Sequence, residues 1–228
     1  MEIHPIAVIR TEFPEKFGIP RQSGLASSLR GRIVFEKEYR NPDALRGLED
    51  FSHIWLLWDF SENHRADGWS PLVRPPRLGG NASVGVFATR SPFRPNSIGL
   101  SCVELDHIDY DDASAPIIYI KGADLMDGTP IYDIKPYIAY ADSRPDSRCG
   151  YVGTLPERQL DVKIPENVRD RFAGLIDLDA LTQVLSLDPR PSYQSDPERL
   201  YGMSFSGHNI RFRTDGEVVD VIDIEPLK

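Results

Sequence analysis

From Ile3 to Ala139 the chain is cut into short apolar runs that no helical period joins. They are Ile3 to Arg10, Arg32 to Glu36, Ile54 to Phe60, Val84 to Ala88, Ile117 to Lys121 and Ile131 to Ala139. Runs this short and this rich in β-branched and aromatic residues read as strands. Many of the 17 glycines and 19 prolines fall between them, which suits a loop-rich barrel or sandwich better than repeating βαβ units. Ile54-Trp55-Leu56-Leu57-Trp58 is continuous rather than alternating, so that strand is expected to be covered on both faces. Asn41-Pro42 reads as a helix start, with Asn41 as N-cap and Pro42 in the first helical position.

The pattern changes near Gly150. Glu166 to Leu175 and Asp177 to Leu187 read as amphipathic helices, the second with Leu178, Leu181, Val184 and Leu185 on one face. Three β-type runs follow, Met203 to Phe205, Ile210 to Arg213 and Val218 to Ile224, with Thr214-Asp215-Gly216 as a hairpin turn between the last two. The expected class is mainly β: a small β-barrel over 1–150, then a small α+β C-terminal domain over 151–228.

Ile54 to Trp58 is the longest unbroken apolar run, far short of the roughly 20 residues that cross a bilayer. With no signal-peptide pattern at the start, the chain is read as soluble and cytoplasmic, with no membrane association. Two cysteines 47 positions apart make neither a disulfide framework nor a Cys-rich zinc site. The five histidines show no pairing at helical spacing, so no metal is expected.

The formal charge of −9 argues at first against a nucleic-acid partner. Its distribution argues otherwise. From Gly68 to Val103 there is no Asp or Glu, while Arg74, Arg77, Arg90 and Arg94 fall in that window. Such a stretch is either a surface that pairs with acids elsewhere or a contact surface for anions or nucleic acid.

Neither a dinucleotide-type nor a P-loop glycine motif occurs, and there is no Gly-x-Ser-x-Gly elbow. Three other segments concentrate chemistry. Gly85 to Ser101 (GVFATRSPFRPNSIGLS) leads from an apolar run into a turn with two Arg, two Pro, Asn and hydroxyls. Its prolines lower the entropy of presenting those groups in one geometry. Gly122 to Tyr137 (GADLMDGTPIYDIKPY) sets Asp124, Asp127 and Asp133 in an apolar stretch. Asp124 and Asp127 can face a ligand from one turn, or simply cap backbone N–H groups there. Phe17 to Gln22 (FGIPRQ) puts a polar pair on a Pro-stiffened loop.

On these segments, with Asp50 to Trp58 (DFSHIWLLW), Arg74 to Gly80 (RPPRLGG) and Pro189 to Tyr193 (PRPSY), the chain resembles the TrmO (TsaA/YaeB-like) family of S-adenosylmethionine-dependent tRNA methyltransferases. The resemblance implies a β-barrel that binds S-adenosylmethionine without a Rossmann loop, working as a homodimer. It implies methylation of N6 of N6-threonylcarbamoyladenosine next to the anticodon of threonine tRNAs. Cofactor contacts would fall on Pro20, Arg21, Gln22, Ser61, Glu62, Arg90, Leu100, Asp124, Leu125, Met126 and Asp127. Ser61 departs from the family pattern, which usually has His there.

N6 of the substrate belongs to a urea, so a base that removes its proton is chemically reasonable, and Asp133 and His53 are the candidates. Arg74, Arg77 and Arg94 are expected to meet tRNA, together with Arg190, Tyr193, Arg199 and Tyr201, whose mixture suits phosphate pairing and base stacking. Removal of the chain beyond Gly150 is expected to weaken tRNA binding more than cofactor binding. The competing reading is a non-catalytic S-adenosylmethionine-binding sensor or RNA-interaction protein.

Overall fold

The computed structural model describes residues 2–63, 68–78, 82–154, 159–191, 194 and 196–227. In chain order its strands are β1 (Ala7–Arg10), β2 (Arg30–Phe35), β3 (His53–Asp59), β4 (Leu72–Val73), β5 (Val84–Gly85), β6 (Ile98–Asp109), β7 (Ile117–Lys121) and β8 (Pro130–Pro136). A short helix, α1 (Ala139–Asp142), follows, then β9 (Asp161–Lys163), α2 (Glu166–Phe172), α3 (Leu178–Ser186), β10 (Tyr201–Phe205), β11 (His208–Thr214) and β12 (Val218–Pro226).

Six strands close a barrel in the order β1-β2-β7-β6-β3-β8, every adjacent pair antiparallel. Closure leaves no strand edge open in this sheet, and alternate side chains fill the interior. Ile9, Ile33, Ile54, Leu56, Ile118, Ile120 and Ile131 form that core. The run from Ile54 to Trp58 obeys the same alternation: Ile54, Leu56 and Trp58 point inward, while Trp55 and Leu57 stay half-exposed. The expectation of two covered faces therefore holds on one face only; outside, Trp55 meets the Tyr137 ring at 6.0 Å.

Two other expectations shift. Val84 to Ala88 is not one buried run, because only Val86 is buried and the chain turns into a 3-10 helix (Val86–Ala88) straight after β5. Asn41 is an N-cap, its Oδ1 accepting Asp43 N–H at 3.0 Å, but the helix it starts is a single 3-10 turn (Pro42–Leu45).

The second sheet runs β10-β11-β12-β9, with β9 parallel to β12. Asp177 caps α3 through the N–H groups of Asp179 and Ala180, and Leu181, Val184 and Leu185 are buried, with Leu178 packed partly against them. Gly216, at φ +93°, makes the hairpin turn before β12. This second core also takes in Phe13, Ala26 and Leu29, which come from the connection between β1 and β2. Gln183 grips that connection twice, accepting Ser28 N–H at 3.0 Å and donating to Ser28 Oγ at 2.7 Å. Ser206 N–H adds a bond to the Glu12 carbonyl at 2.9 Å. The segment bearing FGIPRQ is thus held from both sides, by the C-terminal unit and, through Gly24 N–H on the Gly122 carbonyl at 2.8 Å, by the barrel.

Candidate functional site

A cavity of about 440 Å³ opens at one end of the barrel, where four separate stretches of chain converge. The first is the loop after Phe17. Gly18, at φ +98°, packs so closely on Met203 that any side chain there would collide with it. Pro20, Arg21 and Gln22 then enter the cavity wall, and Arg21 reaches back to the Asp188 carbonyl at 3.5 Å.

The second stretch is the end of β3, which brings Trp58, followed by Ser61 and Glu62. The third is the proline-stiffened loop before β6. Thr89 Oγ1 bonds the Val86 carbonyl at 2.8 Å and accepts Ser91 N–H at 3.1 Å. Arg94 Nη1 donates to the Thr89 carbonyl at 2.9 Å. Held this way, Arg90 donates to Gln22 Oε1 across the mouth, and Leu100 lines the wall although it is 49% exposed. Gly99 is required beside it, because a Cβ there would overlap the Trp58 indole.

The fourth stretch is the β7–β8 loop, which contributes Asp124, Leu125 and Met126. Ser101, fully buried on β6, accepts the Trp58 indole N–H at 3.0 Å and donates to Asp124 Oδ1 at 2.6 Å. Burial pushes the Asp124 carboxyl above its ordinary range; the Ser101 hydrogen bond and the Arg90 guanidinium pull it back only in part.

Every residue expected to hold the cofactor lines this cavity except Asp127. Its Oδ1 accepts Thr11 N–H at 3.1 Å, and its Oδ2 meets Arg10 at 3.2 Å. Thr11 Oγ1 also bonds the Leu125 carbonyl at 3.1 Å. Asp127 therefore pins the loop that carries Asp124 to the end of β1. The two readings open for these acids apply unequally: Asp124 faces the cavity while also accepting the Ser23 N–H, and Asp127 only caps the backbone and pairs with Arg10.

Other expected residues lie elsewhere. Asp133 pairs with Lys135 at 2.8 Å on β8, and His53 bonds Ser52 at the start of β3; neither lines the cavity. Arg94 lines it, and Arg74 is exposed. Arg77 lies in the 3-10 turn Pro76–Leu78, and Tyr193 falls outside the described residues.

In the C-terminal unit Arg190 Nε takes both Asp188 oxygens, at 2.9 and 3.1 Å, with its side chain only 10% exposed. Tyr201 is buried and stacks on Phe212 at 5.4 Å. Arg199 is exposed above the Tyr201 ring, at 5.4 Å from its centroid. Inward-facing Arg190 and Tyr201 are thus occupied in the fold, and neither offers a face to a base or phosphate.

Sequence reasoning passed over Lys16, Trp58, Gly99 and Ser101. Trp58, Gly99 and Ser101 stand inside the motifs already singled out, but only the pairing of β3 with β6, which sets Trp58 opposite Gly99, brings those two to the cavity wall, with Ser101 buried behind it. Lys16, whose Nζ bonds the Glu62 carbonyl at 3.0 Å, carries no local signal. Among the described residues, no group of three or more His, Cys, Asp or Glu is arranged to hold a metal ion, and no helix is long and apolar enough to cross a membrane.

Two family models match the chain: the tRNA-methyltransferase O N-terminal domain over residues 8–143 and the TrmO C-terminal domain over 157–227. A tRNA (adenine(37)-N6)-methyltransferase of Escherichia coli (strain K12) is 41% identical over 99% of this chain and 98% of its own length. A mouse protein of the same name is 44% identical over 61% of this chain and 31% of its own. A crystal structure of TrmO from P. aeruginosa superposes with a TM-score of 0.80 at 33% identity, covering 100% of this chain and 97% of that one.

Proposed function

Since the chain belongs to the tRNA-methyltransferase O family, matched over its N- and C-terminal parts, we propose that it methylates N6 of N6-threonylcarbamoyladenosine, next to the anticodon of threonine tRNAs. It is an S-adenosylmethionine-dependent methyltransferase acting on adenine 37 of tRNA, as in its relatives. The threonylcarbamoyl substituent and the choice of threonine tRNAs are the finer part of this reading. The observation that carries it is the convergence of the FGIPRQ loop, Arg90, Leu100 and Asp124 to Met126 on one cavity.

The donor set suits the cofactor. S-adenosylmethionine combines an adenine, ribose hydroxyls, an ammonium, a carboxylate and a sulfonium cation, and when bound it supplies the electrophilic methyl group. Trp58, Ile19, Leu100 and Leu125 offer apolar walls, Asp124 and Glu62 offer acceptors, and Arg21 and Arg90 offer charged donors. The volume, about 440 Å³, lies in the usual range for a ligand of this size. Asp124 holds a ribose hydroxyl or the ammonium from a position fixed by Ser101. Arg90, steadied by Gln22, and Arg94 meet the threonyl carboxylate or a loop phosphate. Fixing the acceptor nitrogen in line with the methyl group contributes several kcal/mol to lowering the barrier, on the order of what pre-paid orientation supplies elsewhere.

The carbamoyl group spreads the N6 lone pair over a urea, so N6 becomes nucleophilic only as its proton passes to a base, either water or a carboxylate of the cavity wall such as Glu62. The chain works as a homodimer in the cytoplasm in this reading, and a tRNA substrate fits that compartment. Mass spectrometry of tRNA nucleosides from cells with and without the gene tests the proposal. The N6-methylated threonylcarbamoyl nucleoside should vanish without it; an unchanged level would overturn the substrate.

A further inference from the structure

A second cavity, of about 360 Å³, adjoins the first and shares Asp59, Arg94 and Ile98 with it. Trp69 lines this second cavity and is 49% exposed. Its ring stacks on Phe87 with centroids 6.0 Å apart and planes 26° apart, and Phe87 is itself 70% exposed. The Arg94 guanidinium carbon lies 5.9 Å from the Phe87 centroid.

Clustered exposure of large apolar rings usually marks a contact surface. All three residues belong to the stretch from Gly68 to Val103 that has no carboxylate. The far side of the cavity is polar: the Asp59 carboxylate hydrogen-bonds the Tyr132 hydroxyl, and both residues line the wall. Stacked rings, a guanidinium beside the exposed Phe87 ring and a polar wall match the π-face, phosphate and hydrogen-bonding edge of a nucleotide.

We propose that Trp69, Phe87 and Arg94 form a stacking platform for an anticodon-loop base, and that this platform holds the target nucleotide at the wall shared by the two cavities. The inference rests on the tRNA reading above and adds where the RNA sits. A second copy of the chain fits the patch less well. A two-fold contact sets a surface against its own equivalent, and here that brings Arg94, beside the exposed Phe87 ring, towards its own counterpart.

The test uses the full chain and an anticodon stem-loop carrying N6-threonylcarbamoyladenosine. Trp69→Ala and Phe87→Ala should each weaken stem-loop binding about 10-fold or more, given the usual strength of base–aromatic stacking. Their S-adenosylmethionine affinity should stay within about twofold, since neither residue lines the first cavity. Trp69→Phe should retain most RNA affinity, which separates a lost ring from a disturbed fold. The slope of log Kd against log salt should be unchanged in Trp69→Ala and shallower by about one in Arg94→Gln. RNA affinity within twofold of the parent in both alanine variants would overturn the platform. So would a loss of RNA binding that appears only with a change in sedimentation, which would make the patch a contact between copies. A parent chain that ignores the stem-loop would instead overturn the tRNA reading itself.

Discussion

Ser101 and Asp124 sit 23 positions apart on β6 and the β7–β8 loop, yet the Ser101 hydroxyl donates to the Asp124 carboxylate at 2.6 Å. The same hydroxyl oxygen accepts the Trp58 indole N–H at 3.0 Å. One small buried side chain therefore ties an acidic cavity residue to the aromatic wall beside it. The consequences are measurable.

Ser101→Ala removes a hydrogen bond that favours the charged form of Asp124, so the raised Asp124 pKa should rise further. If cofactor binding uses the carboxylate, affinity falls as pH drops through that pKa, and the variant should lose affinity at a higher pH than the parent. Calorimetric titration of S-adenosylmethionine from the ordinary aspartate range, about pH 4, upwards to about pH 8 should show this shift and a weakening of about tenfold, the scale of one charge-assisted hydrogen bond. Identical pH profiles would remove Ser101 from the site.

Asp124→Asn separates binding from stability. Because the folded-state pKa lies above the unfolded value, the native chain binds more protons in that window, and stability declines as pH rises through the folded pKa. The neutral amide escapes that decline. The variant should lose cofactor binding while its melting temperature at pH 8, about neutral-to-basic for a carboxylate, stays level with or above the parent's. A large drop in melting temperature there would mean that the carboxylate stabilises the fold.

Asp127→Ala should behave differently from its neighbour. Its carboxylate pins the loop to Thr11 and Arg10 rather than facing the cavity. Loss of those bonds should cost about 1 kcal/mol of stability and raise the KM for S-adenosylmethionine more than it lowers kcat. Complete loss of activity with unchanged stability would place Asp127 at the cofactor instead.

Gly99→Ala forces a Cβ into the Trp58 indole. Overpacking of this kind costs about 1–3 kcal/mol, and the displaced ring narrows the cavity that both residues line. Both thermal stability and cofactor affinity should fall; a variant with parental values of each would show that the wall yields freely.

Truncation after Gly150 should abolish cofactor binding along with RNA binding. The shorter chain would expose Phe13, Ala26 and Leu29, whose core is completed by Phe205, Phe212 and the face of α3. It would also loosen the loop bearing Pro20 to Gln22, which packs at Gly18 on Met203. This reverses the expectation drawn from sequence, in which the two functions were separable. Calorimetry on the soluble fragment decides: cofactor affinity near that of the full chain would show that the barrel builds the site unaided.

The strand-like runs, the cap at Asn41 and the motifs around Arg90 and Asp124 are readable because each depends on local chemistry: β-branched residues in short runs, an Asn before a proline, prolines in a turn. Tyr201 shows where that reading stops. Beside Arg199 it looks like a stacking residue, but its strand turns it into the core against Phe212. Arg190 likewise looks available and is consumed by Asp188.

By itself the sequence determined the mainly β class, the family and the segments that meet at the site. Short-range patterns and long specific motifs suffice for those. Only the tertiary structure decided which motif residues face the cavity. Barrel closure sets Trp58 opposite Gly99, and the β1 end captures Asp127 while leaving Asp124 pointing inward. Two aspartates three residues apart in one loop offer the same side chain; their roles differ because the buried Ser101 hydroxyl holds Asp124 at the cavity while Thr11 N–H and Arg10 hold Asp127 at the end of β1.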